Sequence, residues 1–253
     1  MKTFLIDLDG TMYHGSIMVE GAQAFLDRIK ESGNRYIFLT NNATRTLKQN
    51  KEHMEAIGFK GIQEEDFFTS SMAAAMHVAE NYKERNAYMV GKDGLREALL
   101  TNGFHITDKD VDFVFVGLDK DGTYEMYSHA LSYLLNGAKL IGTNSDRRLA
   151  TSEGYAIGNG SVVALFEYAS EQKSEKIGKP YAPILNQALR YFDIQKEDVV
   201  MVGDNLETDI ALGQNTGIDT ILITSGVHSR IDVETFGIKP TYIVDSFDEI
   251  QVI

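Results

Sequence analysis

Short apolar runs that stop at a polar residue or a glycine recur along this chain. A run of this kind is typical of a strand buried on both faces of a sheet. The pattern therefore predicts buried strands that end in loops. They lie at residues 4–6, 36–39, 67–70, 87–90, 111–116, 139–141, 199–202 and 220–223.

Apolar residues at helical spacing fill the intervals between these runs. One stripe consists of Ala22, Phe25, Leu26 and Ile29, and Gly33 ends that helix. Strands that alternate with helices indicate parallel sheets joined by right-handed crossovers, so the predicted fold class is α/β. Further helices are predicted at residues 45–57, from 72 onward, and at 93–100, 126–135, 162–169 and 184–192.

The polar residues at the strand ends divide the chain into two kinds of segment. The first run and the run at 199–202 both lead into acids, whereas no run between residues 86 and 141 does. A polar stretch at 170–176 has the composition of a linker. We therefore predict a discontinuous core domain, residues 1–81 plus 177–253, interrupted by an inserted domain, residues 82–176.

Composition and charge limit the kinds of partner and the cellular compartment that we expect for this chain. The chain has 253 residues, 43% of them apolar, and a net charge of −13. This charge repels nucleic acid and anionic membranes, so we expect neither as a partner. The absence of cysteine excludes disulfides, thiolate zinc sites and thiol nucleophiles, and it favours a reducing cytoplasm. No apolar run approaches the roughly 18 residues that span a bilayer.

Two carboxylates follow the first predicted strand. Asp7 and Asp9 are two positions apart, which on an extended backbone places both side chains on one face. In an open α/β sheet the carboxyl end of a strand is where ligands bind. Two acids this close repel unless a cation or a proton lies between them, so the pair indicates either a metal or a coupled acid and nucleophile. Residues 12–19 after them can form a small hairpin flap.

Other strand ends and loops carry groups that suit phosphoryl transfer. Asp7 is a candidate nucleophile toward phosphorus, and Asp9 can protonate the leaving oxygen and then deprotonate water. Thr40 offers a hydroxyl to phosphate oxygens, and Lys179 offers positive charge to the phosphate and to Asp7. Hard oxygen ligands favour Mg²⁺, with Mn²⁺ left open. The candidate ligands at the later strand are Asp204 and Asp209.

Four ordered motifs in this chain resemble those of the haloacid dehalogenase superfamily. The second and fourth are similar in form to those of the NagD-type phosphatases, relatives of the p-nitrophenyl phosphatases. The four motifs are residues 7–11 (Asp-Leu-Asp-Gly-Thr), 40–42 (Thr-Asn-Asn), 178–180 (Gly-Lys-Pro) and 203–209 (Gly-Asp-Asn-Leu-Glu-Thr-Asp).

The resemblance implies a fold, a cofactor and a mechanism. It implies a Rossmann-like core with a mobile α/β cap inserted between the second and third motifs, and a substrate phosphate bound at Thr40 and Asn41. It also implies hydrolysis through an aspartyl-phosphate. The implied Mg²⁺ ligands are Asp7, the backbone carbonyl of Asp9, and Asp204, with Asp209 in support.

The resemblance also points to a substrate class. It implies small phosphorylated metabolites: sugar phosphates, acid-sugar phosphates or nucleoside monophosphates, with p-nitrophenyl phosphate as a substrate in vitro. The cap allows a homodimer. Residues 143–146 and 158–161 resemble cap loops that select the leaving group, although Ser145 stands where proline is frequent and residues 158–161 also suit a helix N-cap.

Alternative functions remain open. A phosphotransferase or phosphomutase would use the same aspartyl-phosphate but pass the phosphoryl group to a hydroxyl other than that of water. A phosphorylation-controlled signalling receiver also combines acids, a Thr and a Lys on a parallel sheet, but Asp9 and the inserted domain argue against it. A non-catalytic binding module would not need Lys179 and Asp204 beside the aspartate pair. Apart from the resemblance, Asp209 could equally stabilise a helix N-terminus, and Asn205 could cap that helix.

Overall fold

The computed structural model describes residues 1–151 and 154–252. Within these ranges the strands are β1 Thr3–Ile6, β2 Tyr13–His14, β3 Ile17–Met18, β4 Arg35–Thr40, β5 Phe67–Thr69, β6 Asn86–Val90, β7 His105–Ile106, β8 Phe113–Val116, β9 Lys139–Gly142, β10 Arg148–Thr151, β11 Gly154–Ile157, β12 Val199–Gly203, β13 Asp219–Ile223 and β14 Tyr242–Val244. The helices are α1 Ala22–Glu31, α2 Leu47–Ile57, α3 Ser70–Asn81, α4 Asp93–Thr101, α5 Tyr124–Leu135, α6 Asn159–Ser170, α7 Ala182–Phe192, α8 Ala211–Thr216 and α9 Arg230–Phe236.

The chain packs into two compact units. The first comprises Met1–Thr40, Leu47–Phe68 and Lys179–Ile253, and the second comprises Asn41–Thr46 and Thr69–Gly178. The predicted boundaries, 81/82 and 176/177, differ from these limits because α3 packs with the second unit. The hydroxyl of Ser70 donates to the carbonyl of Asn41 at 2.7 Å. That the second unit acts as a mobile cap stays a prediction.

A six-stranded sheet forms the centre of the first unit, in the order β14-β13-β12-β1-β4-β5. β1 runs parallel to both of its neighbours, with Ile6 opposite Phe38 on one side and Val202 on the other. The connections lead away from β1 in both directions, toward β5 on one side and toward β14 on the other. An α/β sheet binds ligands in the crevice beyond the carboxyl ends of its strands at such a reversal.

Helix α1 covers one face of this sheet through the predicted stripe. All four apolar residues of the stripe are buried. Phe25 packs edge-on against Phe4, with ring centroids 5.6 Å apart, and stacks on Phe247 at 5.1 Å. Burial of one such side chain contributes about 1.5–3 kcal/mol, so this packing holds β1 firmly in the sheet.

The second unit is built on a four-stranded parallel sheet in the order β7-β6-β8-β9. Its core contains Val114 and Val116 of β8 together with Leu134 of α5 and Phe166 of α6. An antiparallel pair of strands, β10 with β11, precedes α6. The alternating pattern did not predict this pair, because Tyr155 and Ile157 are exposed.

Two further findings bear on the sequence predictions. The flap predicted at residues 12–19 is present as the antiparallel pair β2 and β3. Across the two described ranges, no helix is both long enough and apolar enough to cross a membrane.

Candidate active site

Three strand ends converge at the middle of the first sheet. β1, β4 and β12 are adjacent and parallel, so Asp7, Thr40 and Asp204 all follow or end strands at the same edge. The amide of Asp7 still donates to the carbonyl of Val202 at 2.9 Å, which extends the pairing of β1 with β12 to the first site residue. Thr40 is the last residue of β4 and is buried.

Three carboxylates meet at this edge. Asp7, Asp204 and Asp209 each offer an oxygen, and these oxygens all lie within 4.8 Å of one another. Asp7 is 8% exposed, Asp204 1% and Asp209 0%. Burial strengthens the repulsion among the three charges because no water screens them. Such a cluster needs positive charge nearby.

A turn of π-helix, Leu206–Ile210, carries Asp209 back toward β12. The side chain of Asn205 accepts from the amide of Glu207 at 2.9 Å, so its predicted capping role is confirmed. The amide of Asn205 in turn donates to Oδ2 of Asp209 at 3.1 Å. The carboxyl of Asp209 occupies the space that a Cβ on Gly203 would fill, so this position accepts only glycine.

Lys179 supplies positive charge to the cluster. Its Nζ lies 2.5 Å from Oδ1 of Asp7 and 2.8 Å from Oδ1 of Asp209, and it donates to the carbonyl of Leu39 at 2.7 Å. The side chain is 1% exposed. Burial disfavours the charged amine, but the carboxylates of Asp209 and Asp7 outweigh that effect and raise the pKa of Lys179. Lys179 is therefore a fixed ammonium that orients Asp7.

Asp9 differs from Asp7 in its surroundings. It is exposed, whereas Asp7 is buried, although both follow the same strand. Gly10 between Asp9 and Thr11 has φ +98°, and a Cβ there would lie 2.5 Å from an oxygen of Asp204. The turn thus requires glycine, and it lets the hydroxyl of Thr11 donate to Oδ1 of Asp204 at 2.8 Å. The carboxyl of Asp9 is thus open to solvent, whereas that of Asp7 is enclosed.

Asn41, the other predicted phosphate ligand, belongs to the second unit. There its Nδ2 donates to Oδ1 of Asp146 at 2.9 Å, and its carbonyl accepts from Nδ2 of Asn144 at 2.7 Å. Asn144 and Asp146 lie in the predicted cap loop at residues 143–146, and the hydrogen bonds join that loop to Asn41. Contact of Asn41 with a phosphate stays a prediction. The second predicted cap loop, residues 158–161, begins at Gly158, which is the N-cap of α6 and makes no side-chain capping bond.

The loop after β13 contributes support for the site that the sequence pattern did not predict. The amide of Val227 donates to Oδ2 of Asp204 at 2.7 Å, and the amide of His228 donates to the carbonyl of Asp204 at 3.2 Å. Gly226 leaves room for the Asp204 carboxyl. Burial lowers the pKa of the His228 imidazole. The signal that could have found this loop is a glycine, Gly226, soon after the fifth buried strand of the core.

Comparison with known proteins agrees with this geometry. The model of the haloacid dehalogenase-like hydrolase family matches residues 4–105, and a HAD-hydrolase-like model matches residues 176–250. The chain is 39% identical to the 5′-nucleotidase YutF of Bacillus subtilis over 98% of this chain and 96% of that protein. The chain belongs to the haloacid dehalogenase-like hydrolase family.

Another relative and two solved structures are similar to this haloacid dehalogenase-like hydrolase over almost its whole length. An acid sugar phosphatase of Staphylococcus epidermidis is 37% identical over 99% of this chain and 96% of that protein. NagD from Escherichia coli K-12 has a TM-score of 0.91 at 34% identity, covering 100% of this chain and 99% of that one. For the 4-nitrophenylphosphatase of Thermotoga maritima the TM-score is 0.94 at 29% identity, covering 100% and 98%.

These comparisons confirm several predictions. The resemblance to NagD-type and p-nitrophenyl phosphatases is confirmed, as is the α/β class with a central parallel sheet. The prediction that the chain is a phosphatase of the haloacid dehalogenase type is confirmed by the phosphatase names of its relatives.

The carboxylate cluster of this haloacid dehalogenase-like hydrolase suits a divalent cation, which the family generally uses. The three carboxylates carry more negative charge than the one ammonium of Lys179 can neutralise. A divalent cation balances the remaining charge. Burial, with the charge of Asp209 added, raises the pKa of Asp7 to about 7 although Lys179 opposes the rise. Burial and the charge of Asp7 raise the pKa of Asp204 to about 6. These raised pKa values indicate that Lys179 alone does not neutralise the carboxylates of the cluster.

We expect divalent-cation binding to this haloacid dehalogenase-like hydrolase to weaken as the pH falls through these two values. A cation must displace the protons of Asp7 and Asp204, so its affinity drops by about tenfold to hundredfold from pH 8 to pH 5.5. Because both folded-state pKa values lie above those of an unfolded chain, the metal-free fold loses stability as the pH rises through about 6 to 7. Added cation should therefore raise the melting temperature more at pH 8 than at pH 5.5.

Calorimetric titration with Mg²⁺ at the two pH values measures the affinity, and thermal unfolding with and without Mg²⁺ measures the stabilisation. Asp219→Asn, an exposed aspartate at the start of β13, is the matched control and should follow the native protein. Equal affinity at pH 5.5 and pH 8 would contradict the assignment of these carboxylates to the cation.

Proposed function

We propose that this haloacid dehalogenase-type phosphatase is a Mg²⁺-dependent phosphomonoester hydrolase of small phosphorylated metabolites, acting in the cytoplasm through an aspartyl-phosphate on Asp7. One observation carries the proposal. A buried carboxylate is held by a buried ammonium, with Oδ1 of Asp7 2.5 Å from Nζ of Lys179, and an exposed carboxyl, Asp9, follows two residues later. That arrangement separates a fixed nucleophile from a group that can gain and lose a proton.

In the first step a carboxylate oxygen of Asp7 attacks the phosphorus of the substrate. The new Oδ–P bond forms as the bond from phosphorus to the leaving oxygen breaks. Asp9 in its acid form gives its proton to that oxygen, so the product leaves as an alcohol. Lys179 favours the ionised form of Asp7 and orients its carboxylate, and the hydroxyl of Thr40 at the end of β4 is available to a phosphate oxygen.

In the second step water attacks the phosphorus of the aspartyl-phosphate. Asp9, now a carboxylate, takes the proton of that water, the Oδ–P bond breaks, and inorganic phosphate leaves with Asp7 restored. When bound, the cation supplies positive charge that offsets the repulsion between the carboxylates and the phosphate. The ligands we assign to it are Asp7, the Asp9 carbonyl and Asp204, with Asp209 in support. Hard oxygen ligands favour Mg²⁺.

The relatives suggest the compounds to try first. Their names describe a 5′-nucleotidase, acid sugar phosphatases and 4-nitrophenylphosphatases. We therefore propose nucleoside monophosphates, sugar phosphates and acid-sugar phosphates as the substrate classes. Association of two copies through the second unit is a further proposal, and sedimentation tests it.

We expect Asp9→Asn to slow release of phosphate from a sugar phosphate by about 10²–10⁴-fold, because asparagine cannot give or take the proton. The rate of the first step with p-nitrophenyl phosphate should fall far less, because p-nitrophenolate leaves without a proton. The phosphoenzyme should then accumulate, since its hydrolysis still needs a base. Stopped-flow measurement should show a burst of p-nitrophenolate followed by slow turnover.

The reference is the native protein, assayed with Mg²⁺ and with a chelator on nucleoside monophosphates, sugar phosphates, acid-sugar phosphates and p-nitrophenyl phosphate. Asp219→Asn is again the control for the amide substitution and should match the native rates. Equal slowing on both substrates with no burst would contradict the role of Asp9. Phosphate that appears on an added sugar hydroxyl instead of in solution would make the enzyme a phosphotransferase.

A further inference from the structure

The loop that follows β13 holds the segment around Asp204 at several points. Besides the amide contacts of Val227 and His228 with Asp204, the imidazole of His228 makes a third contact. Its Nδ1 accepts a hydrogen bond from the amide of Leu206 at 3.1 Å. His228 therefore binds the chain on both sides of Asn205, at the carbonyl of residue 204 and at the amide of residue 206.

The imidazole of His228 is enclosed. The residue is 8% exposed, and its ring packs edge-on against Phe236, with centroids 4.9 Å apart. Because Nδ1 accepts, the ring proton of the neutral imidazole lies on Nε2. The geometry thus selects one tautomer and one ring orientation.

His228 accepts a hydrogen bond from the amide of Leu206, and Leu206 is the first residue of the π-helical turn that carries Asp209. The first amides of any helix lack partners within the helix, and a buried amide without an acceptor destabilises its surroundings. The same turn is tied to Asn205, since the amide of Asp209 donates to the Asn205 carbonyl at 2.9 Å. A shift at Leu206 therefore moves Asp209 relative to Asp204.

We propose that His228 is a positioning residue for the cation site: its imidazole holds residues 204–206 so that the carboxylates of Asp204 and Asp209 stay at the separation that the cation requires. This inference rests on the proposed function, because it takes these two carboxylates as cation ligands. In this role His228 acts through the backbone of residues 204 and 206.

Three substitutions at His228 separate the hydrogen bond from the bulk of the ring. The Oδ1 of asparagine can lie where Nδ1 lies, so His228→Asn retains the acceptor. The acceptor of His228→Gln lies one bond further out, and His228→Leu has none. Residues that support metal ligands typically change metal affinity by about 10–100-fold when they are lost. We therefore expect Mg²⁺ affinity to fall about tenfold or more in the Gln and Leu variants and to stay within about threefold of native in the Asn variant.

Ser229 provides the matched control. It is the N-cap of α9, and its Oγ and amide both bond to Oδ2 of Asp232 at 2.7 Å. Ser229→Ala should lower the melting temperature through loss of that cap, yet leave Mg²⁺ affinity unchanged. A drop in affinity for this variant would mean that general loosening of the loop, and not the His228 acceptor, sets the affinity.

The experiment combines calorimetric Mg²⁺ titration with amide hydrogen exchange of the metal-free proteins. Exchange at Leu206 should accelerate in His228→Gln and His228→Leu but not in His228→Asn, and this readout needs neither cation nor turnover. If the Leu variant does not fold, the Asn and Gln variants decide the question. Native-like Mg²⁺ affinity in a folded Gln or Leu variant would overturn the inference. A native protein that binds no Mg²⁺ would instead contradict the proposed function, and unchanged Leu206 exchange in the Gln variant would separately show that His228 does not hold the segment.

Discussion

Replacing Asp7 with asparagine is expected to reduce phosphate release by about 10⁴-fold or more on every substrate that the native protein hydrolyses. An amide has nearly the size of a carboxylate but cannot attack phosphorus. The fold should survive the change. Asp7 has a folded-state pKa of about 7, above that of an unfolded aspartate, so its ionisation at pH 8 disfavours the metal-free folded state. A neutral asparagine removes that cost.

The measurement pairs steady-state turnover with thermal unfolding of the metal-free proteins at pH 8. The asparagine variant should melt at or above the temperature of the native protein while it remains inactive. Asp219→Asn makes the same chemical change at the opposite end of the sheet and should retain native turnover. Turnover of Asp7→Asn within about tenfold of native would show that another group attacks the phosphorus.

Replacing Lys179 with methionine is expected to destabilise the metal-free protein by about 3–5 kcal/mol at pH 8, because it leaves buried carboxylates without their ammonium. Nζ of Lys179 contacts both Asp7 and Asp209, and the side chain is 1% exposed, so water cannot take over its role. The loss should be smaller at pH 5, since protonation of these carboxyls, whose pKa values are already raised, removes the unpaired charge. Turnover should fall by at least about 10²-fold, the scale of one lost electrostatic contact.

Urea unfolding at pH 8 and pH 5 in the presence of a chelator measures this effect. Lys196→Met, an exposed lysine of the same unit, is the matched control and should change the free energy of unfolding by less than about 0.5 kcal/mol. If Lys179→Met unfolds at the same urea concentration as the native protein at both pH values, the ion pairs do not hold the cluster together.

The sequence was informative wherever a side chain itself carries the signal. The strands that lead to Asp7, Thr40 and Asp204 are buried on both faces. The sequence of each is therefore a mostly apolar run that ends in a polar group. Parallel pairing then places those groups at one edge without further information. The stripe on α1 was equally clear, because its amphipathic pattern matches the face that it buries.

The parts that the sequence did not predict depend on backbone groups or on tertiary packing. The support of Asp204 by the amides of Val227 and His228 has no side-chain signature, since every residue except proline has an amide. Helix α9 has no buried residue, so it shows no apolar stripe. The residue pattern placed α3 correctly as a helix and predicted it in the core domain, whereas the structure packs it with the second unit. Its contacts there include the hydroxyl bond of Ser71 to the carbonyl of Ala43, which the apolar pattern does not show.

The central claim is that a phosphoryl group passes through Asp7. The most direct test is to mix Asp9→Asn with p-nitrophenyl phosphate and Mg²⁺, quench in acid during slow turnover, and locate the modification by peptide mass spectrometry. The account predicts the mass of one phosphoryl group on the peptide that contains Asp7, and reduction with borohydride should convert residue 7 to homoserine. A phosphoryl group on another residue, or none during continuing turnover, would contradict it.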